Sequence, residues 1–319
     1  MSADPLPSVS ASSNSDAPTY FVDWPTIFLA VGIYGAFAAL TLSYHALPWF
    51  VILPLGAIVV CMHGSLQHEA THGFPTKWEA VNSWIVGFPL WLWLPYLSYR
   101  QTHRTHHVDE NLTNPELDPE SNYLTAAQIA AMSPLRRFVR RCMRTVAGRM
   151  LLGPAYFCFF SWREKILAIR DRRWRRLYPL MWHLPAAAAV LYWVMGVCDI
   201  PFWSYVVLFA YPGTSLTVLR SYAEHRAAGP VQQRTVICEA SWFWSLLYLF
   251  NNLHLIHHRH PRQAWHQRPR QYRMEKSGIT AENGYYIMPG YKTIFRNWLF
   301  KAKEPMQHPL EEQILKRAA

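Results

Sequence analysis

The sequence predicts an all-α membrane protein: four transmembrane helices arranged as two hairpins, with interfacial helices beside them. Three observations carry this expectation. Of the 319 residues, 51% are hydrophobic and 15% aromatic, but only 16% are charged, against roughly 25% in soluble domains. Four apolar stretches are almost free of charge, and at about 1.5 Å per residue they are long enough for a hydrocarbon core of about 30 Å. The stretches also fall into two pairs, each joined by only a few residues, which forces antiparallel neighbours. Fifteen Trp and seventeen Tyr suit rings anchored at the membrane–water interface.

Residues 1–19 are rich in Ser, Pro and Ala without an apolar core, so they read as a disordered tail rather than a signal peptide. The first span covers 24–44. Residues 45–48 then turn the chain into a second span over 49–66, which ends at the first histidine cluster. Residues 83–99 carry Pro89 and Pro95 and are short for a span. They are placed as a helix lying in the interface, with a shallow re-entrant segment as the alternative. Residues 100–176 form a polar section with two arginine runs. Residues 178–197 and 201–219 make the second hairpin around the turn 198–200. Residues 241–253 read as another interfacial helix, and 259–319 is polar again. One membrane domain is expected over 20–309, with 310–319 as a C-terminal tail.

The formal net charge is +11, and its placement tells what it is for. The two inter-span turns carry almost no Lys or Arg, while the termini and the long central section carry nearly all of them. The positive-inside rule then puts both termini and every histidine cluster on the cytoplasmic side. The arginine runs read as topology signal and lipid contact. No motif supports binding to nucleic acid. The five cysteines (Cys61, Cys142, Cys158, Cys198 and Cys238) contain no C-x-x-C pair, which argues against a thiolate metal site and a disulfide framework.

Fifteen histidines are unusual for this length, and they cluster. Three groups stand out: His68 and His72 in HEATH, His103, His106 and His107 in HRTHH, and His254, His257 and His258 in HLIHH. Residues three or four apart share a helix face, so each group projects imidazoles toward one point. His225, in LRSYAEHR, lies just past the fourth span. Each group follows a span or interfacial helix at one membrane face, so all four can converge. Neutral imidazole suits iron, zinc and copper. Nine imidazoles exceed the four or so protein ligands of one zinc ion, so two metals is the economical count. HEATH is also H-E-x-x-H, the zinc-protease signature. An intramembrane zinc protease is therefore a distant alternative, with Glu69 as its general base. Its metzincin extension fails at Pro75 and Trp78, and it leaves both H-x-x-H-H groups unexplained.

This order of boxes resembles the integral-membrane fatty acid desaturase superfamily, to which carotenoid ketolases and hydroxylases and, more distantly, alkane hydroxylases belong. The resemblance runs from about residue 24 to 309. The stretches HRTHHVDENLTNPELDPE, LRSYAEHR and NNLHLIHHRHP resemble bacterial members. It implies a four-span, mushroom-shaped helical fold in a bacterial inner membrane, with a cytosolic cap holding a di-iron centre. The ligands it implies for two ferrous ions are His68, His72, His103, His106, His107, His225, His254, His257 and His258. One departure matters: in structurally known acyl-CoA desaturases an Asn four residues before the lone histidine contacts the metal through water, and here Ser221 stands in its place. His45, His63 and His260 match no family ligand and read as structural or exposed.

The implied activity is O₂-dependent desaturation of a fatty acyl chain, with hydroxylation or ketolation of a lipid or carotenoid as the alternative on the same scaffold. An unactivated C–H bond lies beyond acid–base groups, whereas iron with O₂ can attack it. Glu69, Asp109 and Glu224 are candidates to orient imidazole N–H groups, although Asp109 reads equally as a solvated acid. Each turnover needs two electrons, and the sequence contains no G-x-G-x-x-G, C-x-x-C-H or H-P-G-G motif. A separate donor of the ferredoxin or cytochrome b5 type is therefore expected.

Overall fold

The computed structural model describes residues 21–313. The tail expected over 1–19 and the last residues of the expected C-terminal tail lie outside them. The described residues are mostly helical, with a two-residue parallel ladder pairing Ile237–Cys238 with Ile287–Met288 and three isolated bridges.

Helix α1 (Trp24–Leu42) starts where Asp23 caps the Thr26 amide and Pro25 occupies the first turn, a position that needs no amide hydrogen. Helix α2 (Trp49–Thr71) begins after Pro48. It runs past the apolar stretch and carries the first histidine box inside the helix. It can do so because the polar residues of its last turns have buried partners: the Gln67 amide donates to the Val86 carbonyl at 2.8 Å, and Glu69 pairs with Arg268 at 2.7 Å.

The expected interfacial helix over 83–99 is instead broken. Helix α3 (Glu79–Val86) stops before Gly87, residues 87–95 are not helical, and α4 (Tyr96–His106) restarts after Pro95. Pro89 and Pro95 account for the gap, since neither can donate to a helix ladder and each disfavours a helical residue before it. The polar section holds α5 (Ala126–Ala130), α6 (Pro134–Cys142) and the long α7 (Val146–Arg170). That last helix was hidden by its flanking arginines. Its face with Leu151, Phe159 and Ile166 is exposed, while Gly153 and Pro154 are buried.

The second hairpin follows. Helix α8 (Tyr178–Leu191) continues through a π-helical segment to Val197. After the turn, α9 (Phe202–Tyr205) leads by another π-helical segment into α10 (Tyr211–Glu224). Among the described residues four helices are thus long and apolar enough to cross a membrane: Trp24–Leu42, Trp49–Thr71, Trp174–Val197 and Phe202–Glu224. The two connecting turns lie together, because the His45 imidazole donates to the Cys198 carbonyl at 3.1 Å. Helix α2 and the fourth span form the central pair, and glycines set their approach. A Cβ on Gly213 would sit 2.4 Å from Val60 Cβ, and one on Gly56 would sit 2.6 Å from the Leu208 carbonyl. Small residues at such crossings let helix backbones come close.

Helix α11 (Trp242–Leu247) is only six residues long, shorter than the helix expected over 241–253. Leu249 and Phe250 take left-handed backbone angles (φ 48° and 56°). Beyond them, Asn252 donates to the Cys238 carbonyl and Asn251 to Glu224. Those bonds turn the chain inward to start α12 (His254–Arg259). Helices α13 (Arg268–Glu282) and α14 (Tyr291–Trp298) complete the polar layer.

Candidate metal centre

All three boxes and His225 sit at one end of the span bundle, on the ends of α2, α4 and α10 and on α12. The structure brings the nine histidines into two groups. One holds His68, His72, His103, His107 and His257, and the other His106, His225, His254 and His258; within each group, one nitrogen per ring lies within 4.8 Å of all the others. Each H-x-x-H-H box is divided between the groups. His103 and His107 share a helix face and go to one, while His106, about 100° away around the helix, goes to the other. In the second such box, His254 and His258 stay together and His257 crosses over. The groups are adjacent, with the His107 and His258 rings stacked at 4.2 Å.

The Nε2 atoms face inward. In the first group His72–His103, His103–His107 and His107–His257 are separated by 3.2, 3.1 and 3.1 Å. In the second, His106–His225, His225–His254 and His254–His258 stand at 3.0, 3.0 and 3.2 Å. The outer nitrogens decide what these contacts mean. His68 Nδ1 pairs with Glu69 at 3.2 Å, His103 with Glu120 at 3.1 Å, His106 with Asp118 at 2.9 Å and His258 with Asp109 at 3.0 Å. His225 Nδ1 faces the Arg234 carbonyl at 3.3 Å. Carboxylates and carbonyls only accept, so these Nδ1 atoms carry the proton and leave the Nε2 lone pairs turned inward. At His225–His254 and His254–His258 both rings have Nδ1 on an acceptor, and lone pairs facing at this distance repel unless a cation lies between them. Two nitrogens at right angles on an ion with bonds of about 2.1 Å would be about 3.0 Å apart. His68 Nε2 is buried without a hydrogen-bond partner, as a ligand atom awaiting a metal would be. The residues fit the group that the boxes imply.

Burial, then mutual repulsion, holds His72, His107, His254 and His257 well below the ordinary imidazole range, and His225 likewise. His106 goes the other way. Burial opposes its charge, but Glu120 and Asp118 outweigh that and raise it to about 9. Against the same burial, His103 and His106 hold Glu120 down at about 2. The carboxylates are themselves pinned. Glu69 pairs with Arg268, which is fully buried, and Glu224 pairs with Arg220 at 2.9 Å.

Sequence reasoning missed several of these partners. Asp118 and Glu120 lie in the acidic stretch after HRTHH, where nothing in the pattern tells them from Glu110 or Glu116. Arg220, Arg268 and Asn251 carried no signal. Asp109 does orient an imidazole, that of His258 on another helix. Glu224 accepts from Asn251 at 3.0 Å and lies 3.5 Å from His254 Nδ1. His63 is buried against Tyr34, with His63 Nε2 3.1 Å from the hydroxyl, while His260 pairs with Glu275 at 2.7 Å. Both stand outside the two groups. Ser221 accepts from Arg149 at 3.1 Å.

The family model described as fatty acid desaturase matches residues 42–290. The chain belongs to the fatty acid desaturase family. As a member of that family it is a membrane oxidoreductase of the desaturase and hydroxylase type, with lipid as its substrate class. No curated protein matches the chain. Family membership removes the zinc-protease reading of HEATH, and the geometry explains why. The Glu69 carboxylate is committed to Arg268 and His68, and His68 and His72 share their group with three further histidines.

Proposed function

We propose that this desaturase-family protein removes two hydrogens from a fatty acyl chain, using O₂, two iron ions held by the nine histidines, and two electrons from a separate ferredoxin or cytochrome b5 type carrier. The observation that carries the reading is the pair of histidine groups with converging inner nitrogens, four of whose rings are held by acids at the outer nitrogen. Bound iron would supply the O₂ chemistry that attacks an unactivated C–H bond.

The chain's own residues prepare that chemistry. His68, His72, His103, His107 and His257 would hold one ion, and His106, His225, His254 and His258 the other. Glu69, Asp109, Asp118 and Glu120 fix which ring nitrogen is bare, and they make the imidazoles more basic. Arg268 fixes Glu69 in turn, and Arg220 fixes Glu224 beside His225. Burial of His68, His103, His106, His254, His257 and His258 keeps water from consuming the oxidant. With the arginine-rich segments on the cytoplasmic side of a bacterial inner membrane, the site faces a soluble electron carrier.

Two measurements test the reading. Elemental analysis of active protein should give about two iron per chain, since nine imidazoles exceed one ion's needs; one zinc and no iron would sink it. Mass spectrometry of lipids from cells with and without the protein should show acyl chains that have lost two hydrogens. A gain of one oxygen would make it a hydroxylase, and a change confined to pigments a carotenoid enzyme.

A further inference from the structure

Arg149, on α7, is 5% exposed and has no carboxylate within ion-pairing distance among the described residues. One guanidinium nitrogen donates to Ser221 at 3.1 Å and the group stands 4.9 Å from the Phe157 ring, while Nε has no hydrogen-bond partner. A buried cation in that state is costly unless an anion compensates it. Arg144, five residues earlier, also has no ion-paired carboxylate among the described residues and donates to the carbonyls of Glu304, Asn122 and Pro305, at 3.0, 3.0 and 2.7 Å.

Both arginines line one polar cavity of about 30 Å³ that reaches Ser121, Tyr222, Lys303 and His225. Lys303 also reaches the cavity. It donates to the His225 carbonyl at 2.9 Å, and its nearest acid, Glu304, is 3.8 Å away. Asp118, Glu120 and Glu304 also border the cavity; both Asp118 oxygens are bonded, to His106 and to the Thr113 amide, Glu120 gives one oxygen to His103, and none of the three pairs with Arg149. A space of this size holds about two water-sized oxygens. A carboxylate brings two oxygens in a plane and is the natural partner of a guanidinium fork. A neutral ester or thioester would leave the charge uncompensated.

We propose that this cavity binds the ionised carboxylate of the substrate, so that a free fatty acid enters the site anchored by its carboxyl end beside His225. The assignment of this anion as substrate rests on the lipid-oxidising reading above. It makes the position of oxidation one counted from the carboxyl end rather than from the methyl end.

The test is calorimetric titration of octanoate and of octanamide into the iron-loaded protein in detergent, without O₂ or reductant. Octanoate should bind at least about tenfold more tightly than octanamide, as a charge-assisted bond to arginine implies. Arg149→Gln should lower octanoate affinity about tenfold at unchanged iron content, and Arg149→Lys should keep part of it. Equal affinity for the two ligands in the wild type would overturn the proposal, as would undiminished octanoate binding by Arg149→Gln, which would place the acid on iron instead. If Arg149→Gln fails to fold, the wild-type comparison and Arg144→Gln still decide. Displacement of octanoate by inorganic phosphate of higher affinity would reassign the cavity to phosphate and overturn the carboxylate. Because binding is read without turnover, a protein that binds octanoate but oxidises no lipid would refute the oxidation reading and leave the anion site standing.

Discussion

Asp118→Asn isolates what an orienting acid contributes to the metal centre. Asp118 is buried and fully used. Its Oδ1 accepts from His106 Nδ1 and from the Glu120 amide, both at 2.9 Å, and its Oδ2 accepts from the Thr113 amide at 2.9 Å. Asparagine has one accepting oxygen where aspartate has two. If that oxygen stays on His106, the new NH₂ meets the Thr113 N–H donor to donor. If the amide flips, His106 loses its acceptor. The first arrangement costs roughly 1–3 kcal/mol for an unsatisfied buried donor. Either one removes the charge that makes His106 a better ligand, a change that typically lowers metal affinity 10–100-fold, or about 1.4–2.8 kcal/mol. Equilibration of purified protein against a series of chelator concentrations reads this directly. The midpoint of iron loss in Asp118→Asn should fall at 10–100-fold weaker chelation, with a lower melting temperature. Asp171→Asn is the control, since the Asp171 carboxylate pairs with Arg170 and Arg173 at the surface and its loss should leave the midpoint alone. An unchanged midpoint in Asp118→Asn would refute the claim that the carboxylate tunes the ligand.

His225→Ala should abolish lipid oxidation and reduce bound iron, because His225 Nε2 stands 3.0 Å from both His106 and His254; full iron and full turnover would remove it from the ligand set and make Glu224 the next residue to test. Cysteine tags at Ala46 and Asp199 should be labelled from outside and a tag at Asn111 only from the cytoplasm; outside labelling of Asn111 would put the site on the wrong face for a soluble donor. Gly213→Val should lower the melting temperature and iron content, since its Cβ would overlap Val60, an overpacking that typically costs about 1–3 kcal/mol; wild-type values for both would show that the helix crossing yields. In acid, the depressed imidazoles of His72, His107, His254 and His257 contribute stability that is complete above the unfolded value of about 6.5 and lost as pH falls below it. Chemical denaturation of metal-free protein at pH 7.5 and pH 5 should therefore show lower stability at pH 5, and equal stabilities would contradict their burial as neutral rings.

The sequence by itself determined the spans, the two hairpins and the clustering of histidines. Those features depend on local pattern: an uncharged run of about 20 residues has to cross or be buried, and histidines three or four apart share a helix face whatever surrounds them. Its errors fell where tertiary partners override local preference. Hydropathy ends the second span before His68, yet the helix continues because Gln67 and Glu69 find Val86 and Arg268 from far along the chain. The expected helix over 241–253 stops early because Asn251 and Asn252 bind Glu224 and Cys238. Only the tertiary structure divided the nine histidines five and four, splitting His106 from His107 and His257 from His258. The reason is geometric: adjacent residues on a helix point about 100° apart, and which group each one joins depends on where α2, α10 and α12 lie around it. The choice of Asp118 and Glu120 among the acids after the second box was likewise made by the path of a loop, which no local spacing encodes.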